Sequence, residues 1–126
     1  MTEAARKPWP TEVRLNPEKN RLTIEFDTGE RFILPAEYLR VESPSAEVQG
    51  HGPGQKQLVH GCAGIGISAI EPVGNYAVRL VFDDRHDTGL YSWDYLYELG
   101  IEQEQRWRAY LAALASAGLS REPRAK

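Results

Sequence analysis

Cysteine is almost missing from this chain of 126 residues. Cys62 is the single one, so no disulfide can close within it, and a reducing, cytoplasmic setting is expected. Histidine is scarce as well: His51, His60 and His86 are the whole supply. A transition-metal site needs three or four nitrogen or sulfur donors at fixed geometry. Here it would have to draw nearly every donor the chain owns from separate segments, at no known ligand spacing. Long apolar runs are lacking; none approaches the roughly 20 residues that cross a bilayer. The opening MTEAARKPWP has no apolar core of a signal peptide, so no membrane partner is expected. A positive excess is also absent, with 15 Lys and Arg against 18 Asp and Glu, a formal net charge of −3. Phosphate-backbone binding usually needs a basic face, so nucleic acid is not an expected partner.

What remains is an ordinary soluble composition, 41% apolar and 26% charged, enough for one core in one domain. We expect that domain over residues 9–119, with loose ends at 1–8 and 120–126. The first half reads as strands. Arg21 to Phe26 alternates, with Leu22, Ile24 and Phe26 facing inward. Asp27-Thr28-Gly29-Glu30 is a turn sequence that returns the chain as Arg31 to Leu34. Glu12 to Leu15 is a shorter strand, and Ala36 to Leu39 is one helical turn after Pro35. Strand pattern resumes over Gly66 to Val73 and Tyr76 to Phe82, the latter with Tyr76, Val78, Leu80 and Phe82 on one side. Helices come last. Ser92 is an N-cap with Asp94 in the first turn, and Gly100 is the expected stop of a short helix. A longer helix from about Glu102 to Ala117 carries Trp107, Tyr110, Leu111 and Leu114 as one stripe, ended by Gly118. The expected class is α+β, a small antiparallel sheet with C-terminal helices packed on it.

Between the strand-rich halves runs LRVESPSAEVQGHGPGQ, without periodicity and rich in glycine. So long an irregular segment in a small domain is usually functional or disordered. Gly50, Gly52 and Gly54 permit close approach to the main chain, while Pro44 and Pro53 stiffen it. We read it as a partner-binding loop: Ser43, Ser45, Gly50, His51, Gly52 and Gly54 are the candidate contacts, with His86 from the polar turn Asp83–Thr88. It is no phosphate loop, for it lacks the closing lysine and Ser/Thr. No catalytic residues are expected. A Cys62 nucleophile would need a base and an electropositive setting, and the residues around it read as backbone threading a packed region. The metal alternative groups His51, His60, Cys62 and His86 around iron or zinc; without it no cofactor is expected. Trp93, Tyr95, Tyr97, Trp107 and Tyr110 read as core rings rather than base-stacking platforms.

Several segments together resemble the gamma-butyrobetaine hydroxylase-like N-terminal domain family. They are Trp9-Pro10-Thr11-Glu12-Val13, Leu39-Arg40-Val41 running into Ser43-Pro44-Ser45-Ala46-Glu47, Gly50-His51-Gly52-Pro53, Val73-Gly74-Asn75-Tyr76-Ala77, Phe82-Asp83-Asp84-Arg85-His86 and Gly89-Leu90-Tyr91-Ser92-Trp93-Asp94-Tyr95-Leu96. The resemblance covers about residues 9–111 in order. In the eukaryotic hydroxylases this module precedes a separate iron and 2-oxoglutarate dioxygenase domain. There it binds zinc through one histidine, matched here by His86, and three cysteines just after the stretch matched by Leu39-Arg40. This chain has Val41, Glu42, Ser43, Pro44 and Ser45 in that place, so the resemblance implies a lost zinc site and no hydroxylase activity. Other relatives are modules joined to Mrp-type iron–sulfur carrier ATPases, or small stand-alone bacterial proteins. They imply an accessory or interaction role with an unknown protein partner.

Overall fold

The computed structural model describes residues 8–50 and 56–123. The α+β class holds, but the expected single sheet is two. Strands β1 (Pro10–Leu15), β2 (Arg21–Phe26) and β3 (Arg31–Pro35) form one antiparallel meander; β4 (Ile67–Val73), β5 (Ala77–Phe82) and β6 (Gly89–Ser92) form another. Helix α1 (Ala36–Val41) and the single turn α2 (Ala46–Gln49) follow the first sheet, and α3 (Trp93–Ile101) and α4 (Gln103–Ala117) follow the second.

Period-two patterning explains both sheets. Leu22, Ile24 and Phe26 of β2 and Val78, Leu80 and Phe82 of β5 point into one shared core with Leu34, Tyr38, Leu39, Tyr91, Leu96 and Leu99. The sheets meet where Gly66 passes the β1–β2 turn: Ile67 N donates to Lys19 O at 2.8 Å, and a Cβ on Gly66 would stand 3.1 Å from that carbonyl oxygen.

Three local expectations are corrected. Tyr76 lies outside β5 and is half-exposed, because its turn carries it out of the alternation. Gly100 does not stop α3. It sits within the helix, where a Cβ would overlap the Phe32 ring, so it serves close packing of α3 on β3. Leu111 is exposed, leaving Trp107, Tyr110 and Leu114 as the packed stripe of α4. The caps behave as their residues dictate. Ser92 Oγ accepts from Tyr95 N at 3.1 Å, and Gly118 closes α4 in the left-handed region at φ 69°. Ser120 and Arg121, in the stretch expected as a loose tail, are exposed but bond to the chain: Gly61 N donates to Ser120 O and Ala63 N to Arg121 O, both at 2.9 Å.

Candidate functional site

Helix α1 ends at Glu42, whose N–H still reaches Tyr38 O, and the chain turns at Ser43 and Pro44. Ser45 then starts the single turn α2, its carbonyl accepting from Val48 N and Gln49 N; Gln49 Nε2 bonds back to Ser43 O at 2.8 Å. Facing this bend is the β5–β6 connection. Arg85 adopts a left-handed φ of 74°, Asp84 Oδ1 accepts from His86 N, and Phe82 N donates to His86 O. That tight turn places the imidazole against the serines. Ser43 Oγ stands 2.9 Å and Ser45 Oγ 3.4 Å from His86 Nε2, while Ser43 Oγ accepts from Ser45 N at 3.3 Å. Gly89 makes the approach possible, since a Cβ there would lie 2.7 Å from Ser43 Oγ. Arg40 Nε bonds Asp84 Oδ2 at 2.9 Å and ties the same turn to α1.

The sequence therefore singled out three residues that do converge, but their roles change. Ser43 is 0% exposed and His86 8%, so Ser43, Ser45 and His86 brace the base of the loop and present no face to a partner. Gly50, at φ 77°, is half-buried; His51, Gly52 and Gly54 lie outside the described residues. The far end of the loop is pinned as well. Gln57 N donates to Val48 O at 2.6 Å, and Lys56 Nζ reaches the buried Glu42 Oε1 at 3.0 Å.

The alternative metal set does not assemble among the described residues. His60 is exposed on the incoming segment, and Cys62 is buried with its thiol 3.6 Å from His60 O. Burial pushes that thiol above its ordinary value, opposite to what a nucleophile or ligand needs. No group of three or more His, Cys, Asp and Glu in the described residues is arranged to hold an ion. Nor do Ser43, Ser45 and His86 suit zinc, for neutral hydroxyls replace thiolates and the imidazole nitrogen already takes part in their hydrogen bonds.

Two features escaped the sequence reading. One is a set of four tyrosines whose hydroxyls each donate to a main-chain carbonyl: Tyr38 to Leu99, Tyr91 to Leu39, Tyr95 to Glu42 and Tyr110 to Val59. Burial raises all four, Tyr95 and Tyr110 to about 12. The other is a pair of acids on α1 and its cap. Glu42 takes Arg106 as well as Lys56, both at 3.0 Å, beside an apolar groove of about 420 Å³ between α4 and residues 56–59. Glu37 takes Arg121. Helical spacing marks Glu37 as facing the same way as Val41, a signal of burial that its charge concealed.

The chain matches the model of the family described as gamma-butyrobetaine hydroxylase-like, N-terminal, over residues 13–97. It is similar to two proteins solved by NMR in solution. One is 47% identical, with 96% of this chain and 95% of that one covered and a TM-score of 0.82. The other is 51% identical, with 100% and 94% covered and a TM-score of 0.80. It is also similar to a crystal structure of a protein of unknown function of the DUF971 family from Acidithiobacillus ferrooxidans. That match is 31% identical over 72% of this chain and 91% of that one, at a TM-score of 0.55. No curated protein matches.

Proposed function

Because the chain belongs to the gamma-butyrobetaine hydroxylase-like N-terminal family, we propose that it is a non-catalytic accessory module that recognises a partner protein through the segment beginning at Gly50. One observation carries this reading: both ends of that segment are fixed to the same rigid base. Gly50 follows α2, whose root is held by the Ser43–Ser45–His86 cluster, and the chain re-enters at Gln57, bonded to Val48. A glycine-bearing segment held at both ends offers main-chain groups at low ordering cost, which is what a recognition loop needs. The buried, raised thiol of Cys62 suits a cytoplasmic setting without a redox role. Among the described residues no helix is long and apolar enough to cross a membrane.

The test separates contact from bracing. His51→Ala combined with Gly52→Ala is expected to abolish capture of partner from a lysate while leaving the thermal midpoint unchanged. Ser43→Ala is expected to lower the midpoint instead. Unchanged capture by the loop variant defeats the reading, and stoichiometric iron or zinc in purified, tag-free protein would replace it.

A further inference from the structure

After α4 the chain doubles back, and residues 119–123 lie across the segment carrying Cys62. Leu119 N bonds Leu114 O at 2.9 Å as the helix closes, and Ser120 O and Arg121 O then accept from Gly61 N and Ala63 N. The anchor is Arg121. Its Nε and Nη2 meet Glu37 Oε2 and Oε1 at 2.9 and 2.8 Å, a two-pronged pair, and its guanidinium lies 5.4 Å from the Trp107 ring centre. The two partners are unequally placed. The Glu37 side chain is 10% exposed and the Arg121 side chain 44%, and every residue from Gly118 to Pro123 is exposed.

We infer that Glu37, the face of Trp107 and the amides of Gly61 and Ala63 form a recognition site for an arginine-bearing peptide segment of a partner protein, occupied in the free molecule by the chain's own Arg121. The asymmetry carries this. A lightly held strap opens at small cost, since its residues bury little surface. Glu37 belongs to α1, so its two carboxylate oxygens stay in place when the strap lifts and are left without the fork that pairs them. A ligand that brings its own guanidinium restores that pair. The planar fork of two acceptor oxygens beside an aromatic face selects guanidinium over ammonium. The Gly61 and Ala63 amides, which take main-chain carbonyls from the strap, do the same for a peptide ligand and give it an advantage over a free guanidine. These residues are separate from the loop at Gly50, and the inference stands or falls independently of the proposed function.

The probe is the pentapeptide Leu-Ser-Arg-Glu-Pro, blocked at both ends, titrated into full-length 15N-labelled Arg121→Ala. Saturable shifts are expected at the Gly61 and Ala63 amides and the Trp107 indole. The same peptide with Lys or Ala for Arg should bind at least about tenfold more weakly. Adding Glu37→Gln should remove binding. Absence of shifts, or equal shifts with the Ala peptide, overturns the inference. Should Arg121→Ala lose its fold, the intact chain is titrated in its place. Displacement then moves the Ser120, Arg121 and Glu122 amides, and stationary amides at millimolar peptide overturn it equally. Shifts confined to residues 48–57 would belong to the proposed loop and would also count against this site.

Discussion

Tyr91 and Arg121 both reach back to α1, one giving a hydroxyl proton to Leu39 O at 2.5 Å, the other two N–H bonds to Glu37. Tyr91 is fully buried and neutral; Arg121 is charged and half in water. The contrast extends across the molecule. Hydroxyls lock its centre: four tyrosines on main-chain carbonyls, and the serines on His86. Ions lock its edges: Arg121 on Glu37 at the strap, and Lys56 with Arg106 on Glu42 at the end of the loop. A neutral hydrogen bond in a dry site ignores salt and resists opening, whereas an ion pair open to water is screened and contributes little. The two kinds of lock therefore separate a fixed frame from the pieces able to let go.

The sharpest way to break the frame is alkali. In the unfolded chain the tyrosines ionise near 10, whereas burial holds Tyr95 and Tyr110 at about 12 and Tyr38 and Tyr91 higher still. A group raised on folding supports the fold fully below its unfolded value and loses that support as pH climbs toward the folded one. Cooperative unfolding between pH 10 and about 12 is expected, with tyrosinate absorbance and circular dichroism changing together. Ionisation of Tyr38, Tyr91, Tyr95 or Tyr110 at pH 10 with the fold intact would show that these hydroxyls are not locks.

Next in size is Gly89→Ala. Its methyl group would stand 2.7 Å from Ser43 Oγ and 2.9 Å from Tyr91 Cε1, both held by bonds of their own. Crowding a packed site in this way costs about 2 kcal/mol. For a chain of this length that is a fall of roughly 6–10 °C in Tm. A fall equal to that of an exposed substitution would mean that the serine–imidazole cluster adjusts freely.

How much of this was legible beforehand follows the same division. Alternation revealed β2 and β5 because Leu22, Ile24 and Phe26, and Val78, Leu80 and Phe82, are inward by local geometry alone. Caps at Ser92 and Gly118 were equally local. The split into two sheets was not, because it depends on how Gly66 passes Lys19, far away in sequence. Gly100 misled for the same reason: its lack of a side chain answers Phe32, not the helix end. Ser43, Ser45 and His86 were picked out together, yet only the bend at Pro44 and the left-handed Arg85 decide that they turn inward. Glu37 and Arg121 stand far apart in the chain, and no pattern joins them.

The edge should respond more gently. Arg121→Ala removes an ion pair whose cation is half-exposed, so its effect on global stability is expected to stay below about 1 kcal/mol. The difference from the unaltered chain should shrink in 1 M NaCl, where screening acts within about 3 Å. A loss of several kcal/mol, or one indifferent to salt, would place the strap with the frame.

The smallest effect is local and confined to Cys62. Its thiol is buried beside the strap, in a pocket whose walls include His60, Asp84 and Pro123, and burial pushes its ionisation to higher pH. With little thiolate at neutral pH, alkylation by iodoacetamide should be slow in the folded chain and fast in denaturant. Lifting the strap by Arg121→Ala should speed it several-fold without changing Tm by more than a degree or two, because local opening and global unfolding draw on different contacts. An unaltered rate would mean that residues 119–123 do not gate access to the thiol. Their bonds to Gly61 and Ala63 would then persist without the guanidinium, and the distinction between frame and edge would rest on the two ion pairs at Glu42.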